Sequence, residues 1–329
     1  MADLSTTYMG VSLKNPIVVA ASSISNSVEK VKRAGELGAG ALVIRSLFEE
    51  QIHFDEMTMA DFMERAANIS PEIHSSFYPP VDAGGPREHM MWVEKTRHAV
   101  SMPIFASINA ISPGAWINYA KQLQETGIDG LEINYYAVAA DPDKPGSEME
   151  KELFDIVEAV RAEVSIPIAI KLSAYYTSTP NVVRELEKRG ANAVILFNRF
   201  LQPDIDVESE DIVNQMTWSF SHDMRVPLRW IALLYGRTNL DLILNTGVKT
   251  GRDVAKAILA GAQAVQVAAP LFENGLPYLS AMLLDLESWM DEKGYRSLEE
   301  YRGKVSQKNV ADPFGFERAQ YMKLLMSQE

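Results

Sequence analysis

Four segments of the sequence share one pattern, in which a glycine is followed by a few mostly small residues and then by a hydrophobic run. A glycine fits the left-handed turn that closes a helix, and β-branched residues favour a strand that is covered on both faces. The segments are Gly38-AGALVIR, Gly127-IDGLEIN, Gly190-ANAVILFN and Gly261-AQAVQVA. We therefore predict four passages from a helix into a buried parallel strand.

Three further hydrophobic runs lie between these segments, and each of them ends in polar residues. The runs are Met102-PIFASIN, Ile166-PIAIKL and Asn239-LDLILNTG, and the polar residues at their ends are Asn109, Lys171 and Asn245. Parallel barrels carry their sites at the carboxyl ends of strands that alternate with helices. The sequence therefore predicts the α/β class and a (β/α)8 TIM barrel with a site at that end.

The composition limits the kind of protein and its partners. A chain of 329 residues that is 47% hydrophobic can bury the core of one barrel, so we predict a single domain over residues 1–329. The chain contains no cysteine, which excludes disulfides, thiolate nucleophiles and an iron–sulfur cluster held by its own cysteines. The formal charge of -13 argues against nucleic-acid binding.

Targeting and metal signals are missing from the sequence. We find neither a membrane-spanning run of about 18 apolar residues nor a secretion signal, and we expect a cytoplasmic protein without a membrane contact. The five histidines lack the spacing of a zinc motif, so we predict no metal site.

Several segments lie outside the regular barrel pattern. Residues Thr6 to Leu13 predict an N-terminal hairpin that closes the barrel floor. Residues 46–87 are too long for an ordinary connection after the second strand, and we interpret them as a lid insertion. Ser147 and Glu150 have the spacing of a capping box for the fourth helix. We expect a C-terminal helical extension, with helices over Gly275 to Lys293 and Ser297 to Tyr301, to pack outside the barrel. Residues 303–329 are a C-terminal tail without an assigned role, for which a homodimer contact stays open.

The predicted strand ends bring together amides and fixed positive charge, without paired carboxylates or a nucleophile with its base. Such a set suits a flat heteroaromatic ligand better than hydrolysis. The residues are Ser22, Arg45, Asn109, Asn134, Lys171, Asn198 and Thr246-Gly247.

Two of these positions have a structural alternative. Lys171 is flanked by apolar residues in a central strand, so its ammonium must face an anion. We favour a bound ligand over a salt bridge to a loop carboxylate such as Asp141, because unpaired buried lysines are rare. Thr246-Gly247 precede a helix that Thr250 can cap, and they either offer free backbone N–H groups to a phosphate or form a plain turn.

The most specific motifs of the chain are Leu242-ILNTGVKTGRDVAKAILAGAQAVQV and Glu292-KGYRSLEEYRG. With Leu13-Lys14-Asn15-Pro16, Gly127-IDGLEIN and Ile168-AIKL, they make the chain resemble the soluble dihydroorotate dehydrogenases and the flavin domain of dihydropyrimidine dehydrogenases. The resemblance implies FMN over the barrel mouth. It also implies hydride transfer to the flavin while a base removes the adjacent proton, so that dihydroorotate becomes orotate in pyrimidine biosynthesis.

The resemblance also implies roles for single residues. Lys171 would contact the flavin ring and stabilise negative charge on the reduced ring, and Asn134 and Asn198 would reach the flavin or the substrate. Arg45 stands where the family usually has lysine. With Asn109 from the strand ends, the predicted cofactor-binding residues are Ala20, Ser22, Arg45, Asn109, Asn134, Lys171, Asn198, Thr246 and Gly247.

The chain departs from the family pattern at the catalytic motif. Ala137 occupies the position of the base and Ala139 that of a substrate asparagine. The family's phosphate turns correspond to Trp218-Ser219-Phe220-Ser221 and to Ala268-Ala269-Pro270, neither of which contains glycine.

Another group would then have to remove the proton, and the candidates are Tyr135, Tyr136, Ser76 and Tyr78. Ser76 is also the predicted lid contact with the substrate. Two alternatives stay open: a barrel that binds a ligand or partner without this catalysis, and a reductase served by a separate iron–sulfur electron-transfer subunit.

Overall fold

The computed structural model describes residues 2–48, 86–109, 113–199, 202–213, 217–317 and 319–327. Most of the predicted lid, from residue 49 to residue 85, lies outside these ranges. The predictions for Ser76 and Tyr78 therefore also fall outside the described residues.

Eight parallel strands form a closed barrel, as the sequence predicted. An antiparallel hairpin of β1 (Thr6–Tyr8) and β2 (Val11–Leu13) precedes it. The barrel strands are β3 (Ile17–Val19), β4 (Ala41–Phe48), β5 (Ile104–Asn109), β6 (Gly130–Asn134), β7 (Ile168–Leu172), β8 (Ala193–Leu196), β11 (Asp241–Asn245) and β12 (Ala264–Val267). A second hairpin, of β9 (Asp204–Asp206) and β10 (Asp211–Val213), follows β8.

Helices surround the barrel in the alternation expected of this fold. They are α1 (Val28–Glu36), α2 (Pro86–Ala99), α3 (Pro113–Glu125), α4 (Gly146–Glu163), α5 (Thr179–Lys188), α6 (Arg225–Leu234), α7 (Gly251–Ala260), α8 (Ala269–Asn274), α9 (Tyr278–Lys293) and α10 (Ala319–Met326). None of the described helices is long and apolar enough to cross a membrane.

Two apolar clusters divide the side chains of the barrel strands. The larger cluster fills the layer between strands and helices, and the smaller one fills the barrel interior. Tyr8, Met9 and Leu13 of the first hairpin belong to the interior cluster, so this hairpin closes the floor as predicted. Because side chains alternate along a strand, residues two positions after Phe105 or Ala169 also face the interior.

Two of the predicted helix starts have different outcomes. Thr250 caps α7 in a capping box with Asp253, which confirms that prediction. The capping box of Ser147 and Glu150 is wrong, because α4 begins at Gly146, two residues earlier than that box requires, and Pro145 occupies its N-cap without a side-chain bond.

The C-terminal tail is hydrogen-bonded to the helices of the barrel at its start. The Gly303 N–H donates to Ile258 O at 2.8 Å, and the Gln307 N–H donates to Ala232 O at 2.9 Å. The segment after Gly303 therefore packs on α6 and α7. A role in a homodimer stays a prediction.

Candidate active site

The ends of β6, β7 and β8 bring three predicted residues together at the barrel mouth. Asn134 and Lys171 are neighbours in the β6–β7 register, and each is 8% exposed. The Asn198 side-chain nitrogen donates to Asn134 Oδ1 at 2.8 Å. The mouth thus holds a pair of bonded carboxamides next to a buried ammonium.

Lys171 makes no salt bridge to a described carboxylate within 4.0 Å, and Asp141 lies exposed in its loop. Burial lowers the pKa of Lys171, and the nearby charge of Glu132 opposes part of that change. The alternative of an ion pair with Asp141 is therefore not realised. A buried cation without a carboxylate in contact is costly, which favours an anionic or electron-rich ligand at this place.

Glu132 is a buried carboxyl group that the sequence analysis did not predict, because it considered only the residues at the strand ends. It is 0% exposed, and its Oε1 accepts from the Tyr8 hydroxyl at 2.8 Å and from the Gln266 side-chain nitrogen. Burial raises the pKa of Glu132, and Lys171 opposes that change. The signal was present in the sequence, because Glu132 lies two residues before Asn134 and must share its face.

The structure separates Tyr135, one of the two tyrosine candidates for the base, from the carboxamide pair. Tyr135 packs against the outer apolar cluster, and its hydroxyl donates to Glu152 Oε2 on α4 at 3.2 Å. Burial and then the charge of Glu152 raise the pKa of Tyr135 to about 12. A phenol with this pKa keeps its proton at neutral pH, which argues against Tyr135 as the base, and its catalytic role stays a prediction. Tyr136 is 39% exposed and lies on the loop after β6.

The predicted phosphate turn has the expected shape but not the expected free donors. Thr246 and Gly247 have φ angles of 83° and 81°. The Gly247 N–H donates to Ser219 Oγ at 3.3 Å, and the N–H groups of Lys249 and Thr250 donate to Asp253. The interpretation as a turn with free N–H groups at Gly247 and at the helix start is therefore wrong.

An aromatic pair joins the two segments that correspond to the family's phosphate turns. The rings of Trp218 and Phe272 stack with centroids 4.5 Å apart and an angle of 7°. Ser219 is next to Trp218 and is buried, whereas Phe272 lies on α8 directly after β12. The stacked rings therefore hold Ser219 against the turn at Gly247.

The other predicted cofactor-binding residues are distributed around the rim. Ala20 is buried and its N–H donates to Val267 O at 2.9 Å. Ser22 caps a short turn by accepting from the Ile24 N–H, and Asn109 is buried at the tip of β5.

Arg45 lies at an irregularity of β4, between Ile44 and Leu47. The pKa of His89 on α2 is lowered to about 4, first by the burial of its own ring and then by the charge of Arg45. His89 is a buried side chain near the rim that the sequence analysis did not single out.

A cleft of about 630 Å³ adjoins the rim next to the loop after β6. Asn109, Tyr136, Ala137 and Ala139 contribute to its lining, together with one side of α4. The two alanines at the altered catalytic motif therefore border open space.

The family model of dihydroorotate dehydrogenase matches residues 83–290, which is more than half of the chain. The chain belongs to the dihydroorotate dehydrogenase family. This match spans the barrel from α2 to α9, so it includes Asn134, Lys171, Asn198 and the Gly247 turn.

Relatives in this family match nearly the whole length. The catalytic subunit of dihydroorotate dehydrogenase B (NAD(+)) from Thermoplasma volcanium is 24% identical over 316 residues, covering 92% of this chain and 98% of that protein. The protein of the same name from Pyrococcus abyssi is 26% identical over 317 residues, covering 91% and 98%. Dihydroorotate dehydrogenase A (fumarate) from Limosilactobacillus reuteri is 25% identical over 313 residues, covering 88% and 94%. The names of these relatives differ in the electron acceptor.

Proposed function

We propose that this member of the dihydroorotate dehydrogenase family is an FMN-dependent oxidoreductase. Its substrate would be dihydroorotate, oxidised to orotate, or a related dihydropyrimidine. The observation that carries the proposal is the buried Lys171 ammonium beside the Asn134–Asn198 pair, without a described carboxylate in contact. A fixed cation next to carboxamide edges suits an electron-accepting heteroaromatic ring. The names of the relatives support the same reaction.

The residues of the mouth fit the ring of FMN. Lys171 would hold its positive charge beside the ring, and Asn134 and Asn198 would offer their remaining donor and acceptor positions to ring or substrate edges. Ala20 ends its strand with a single methyl group and leaves room for the face of a flat ring. Burial of these groups favours their electrostatic effect, because the local dielectric constant is low.

The turn at Gly247 suits the phosphate group of FMN if Ser219 mediates the contact between them. Its hydroxyl oxygen accepts from the Gly247 N–H at 3.3 Å, and a hydroxyl keeps one donor of its own. That O–H would donate to a phosphate oxygen, so the Gly247 N–H would act through Ser219 rather than directly. We therefore add Ser219 to the proposed cofactor-binding residues and keep Thr246 and Gly247 as its support.

FMN, when bound, supplies a ring that accepts a hydride. The residues of this chain would orient the substrate through Asn134 and Asn198 and stabilise the negative charge on the ring through Lys171. Ala137 cannot accept a proton, and the phenol of Tyr135 is bound to Glu152. Among the described candidates Tyr136 remains. A general base typically contributes about 10²–10⁴-fold, so we expect slow turnover of dihydroorotate.

The assembly and setting of the enzyme form part of the proposal. Relatives named as a catalytic subunit support a separate electron-transfer partner for this chain as well. The family resemblance extends the proposal to a homodimer, to a cytoplasmic location and to pyrimidine biosynthesis.

The decisive experiment is an absorbance spectrum of the purified protein, followed by an anaerobic titration with dihydroorotate. We expect the flavin bands to be present and to bleach slowly on addition of the substrate. The Lys171→Gln variant should take up FMN more weakly, and Lys121→Gln, which changes an exposed lysine on α3, should match the wild type. Flavin bands that persist with dihydroorotate would exclude this substrate and leave a related dihydropyrimidine.

A second candidate function is a barrel that binds a ligand without oxidoreduction. The methyl groups of Ala137 and Ala139 at the cleft favour it, because the altered motif carries no proton acceptor there. A colourless protein that does not take up added FMN would support this alternative and contradict the first proposal.

A further inference from the structure

Two buried oxygen atoms inside the barrel accept no hydrogen bond from any residue that the structure describes. They are Oε2 of Glu132 and Oε1 of Gln266. The two side chains are already joined, because Gln266 Nε2 donates to Glu132 Oε1, which also accepts from the Tyr8 hydroxyl at 2.8 Å. Each side chain therefore has one satisfied end and one bare acceptor.

A single proton removes both defects. An ionised carboxylate only accepts hydrogen bonds, whereas a protonated one also donates from its O–H. With the proton on Oε2, Glu132 becomes a donor, and Gln266 Oε1 is an acceptor on the side chain to which it is already bonded. A carboxylic acid and a carboxamide then satisfy each other through two parallel bonds. Leaving both buried acceptors without a hydrogen-bond donor would be costly.

We propose that the folded protein holds Glu132 as a neutral carboxylic acid whose Oε2–H donates to Gln266 Oε1. In this state Glu132 would act on a ligand only through Lys171, because a neutral acid leaves the charge of the ammonium uncompensated. Glu132 is in that sense a positioning residue. The ammonium stays available to an electron-rich group at the mouth. This last consequence rests on the proposed function, whereas the protonation of Glu132 does not.

The groups around Glu132 are compatible with a neutral acid. Tyr8 rises from the floor hairpin and donates to it, and Gln266 and Ser107 are its uncharged neighbours on β12 and β5. Lys171 on β7 is the facing cation and favours the anion, but no salt bridge joins the two side chains within 4.0 Å. Asp241 on β11 adds negative charge at the floor, where burial first, and then the charges of Glu132 and Asp241, raise the pKa of Tyr8. Burial raises the pKa of Glu132 itself.

The first test compares the pH dependence of stability between wild type and Glu132→Gln. Glutamine has the shape of the protonated acid, and its N–H can donate to Gln266 Oε1. Unfolded wild type releases the Glu132 proton above a pH of about 4.3, while the folded protein keeps it. We therefore expect the folding equilibrium constant of the wild type, divided by that of Glu132→Gln, to fall about tenfold per pH unit from about pH 5 to neutrality.

The matched control is Glu148→Gln, which changes an exposed glutamate at the start of α4. The folding equilibrium constant of the wild type, divided by that of Glu148→Gln, should stay constant over the same pH range. A constant ratio for Glu132→Gln as well would mean that Glu132 is ionised in the folded protein, and would overturn the proposal.

The second test does not depend on the folding of a variant. Wild type carrying ¹³C in its glutamate carboxyl groups is measured by infrared spectroscopy at mildly alkaline pH, where exposed glutamates are ionised. We expect an isotope-shifted C=O band of a protonated acid, which is absent from Glu132→Gln. Absence of the band from the wild type overturns the proposal. Both tests use the protein without added cofactor, so a failure of flavin binding does not affect their result.

Discussion

The side chain of Asn198 donates to that of Asn134 across 2.8 Å, and this bond joins the ends of β8 and β6 over the intervening strand β7. Lys171 lies on β7 between them. The two asparagines are 64 residues apart in sequence, and the lateral pairing of β6, β7 and β8 brings them together. The bond fixes the orientation of both carboxamides beside the ammonium.

The first prediction concerns this bond. Asn198→Ala should weaken FMN binding about tenfold, because one hydrogen bond contributes roughly 0.5–1.5 kcal/mol and Asn134 would lose its partner. A fluorescence titration of the cofactor-free protein with FMN measures the change. Asn181→Ala, which removes an asparagine on the outer helix α5, is the control and should bind as the wild type does. Equal affinities for both variants would contradict a role for the pair.

The second prediction uses the burial of Lys171, which lowers the pKa of its ammonium. At neutral pH the folded protein carries the cost of the buried charge, and this cost disappears as pH rises from the folded-state pKa to the ordinary value of about 10.4. Lys171→Met should therefore be more stable than the cofactor-free wild type at neutral pH, by about 1–3 kcal/mol. The difference should shrink in alkaline solution.

Urea unfolding at several pH values measures this difference. A Lys171→Met variant that is less stable than the wild type at every pH would show that the ammonium is compensated inside the barrel. That result would also weaken the case for a ligand at the mouth.

The third prediction restores a proton acceptor at the altered motif. Ala137→Ser places a hydroxyl at the position that the resemblance assigns to the base, so kcat/KM for dihydroorotate should rise, by at most about 10²–10⁴-fold. Anaerobic flavin reduction measures the rate at equal FMN content. Ala140→Ser adds the same hydroxyl three residues along the same exposed loop and should have no effect. The idea fails if the two variants reduce the flavin equally slowly.

The barrel could be predicted from the sequence because its signals are local. Glycine-led hydrophobic runs mark the strands, and the polar residue after each run marks the mouth. These signals correctly placed Asn134, Lys171 and Asn198 at one end of the barrel. The hydrogen bond between Asn134 and Asn198 depends on β6 and β8 flanking β7 in the sheet, which no local pattern describes.

Two features of the site that the sequence analysis did not anticipate follow from the alternation of side chains along a strand. Only strand tips entered the sequence analysis, so Glu132, two residues before Asn134 on the same face, was overlooked. The same rule places Tyr135 on the opposite face, where its hydroxyl contacts Glu152. The donor role of the Gly247 N–H toward Ser219 could not be predicted, because it depends on a loop 28 residues away in sequence.

The fourth prediction tests the packing of the Gly247 turn. A Cβ atom at Gly247 would lie 2.4 Å from the Met224 backbone nitrogen, and the φ angle of 81° disfavours any other residue. Gly247→Ala should therefore destabilise the protein by about 3 kcal/mol or more. Gly127→Ala is the matched control, since its φ angle is 78° and no atom lies within 4 Å of the added methyl group.

For Gly127→Ala we expect only the conformational cost of about 1–2 kcal/mol. Denaturant unfolding of both variants measures the difference. A similar loss in both would mean that the loop with Met224 does not pack against the turn, and would remove the support for Ser219 as a phosphate contact.

The fifth prediction compares two buried tyrosines that differ in their hydroxyl partners. The Tyr8 hydroxyl donates to Glu132 Oε1 at 2.8 Å, whereas the Tyr301 hydroxyl is buried and has no hydrogen-bond partner within the described part of the chain. Tyr8→Phe should cost about 1–2 kcal/mol of unfolding free energy, because it takes a donor away from a buried carboxyl group. Tyr301→Phe removes only an unsatisfied hydroxyl, and it should be neutral or slightly stabilising. Urea midpoints at an unchanged m-value report both effects. If Tyr8→Phe lost no more stability than Tyr301→Phe, the hydrogen bond from the floor hairpin to Glu132 would contribute nothing to the barrel interior.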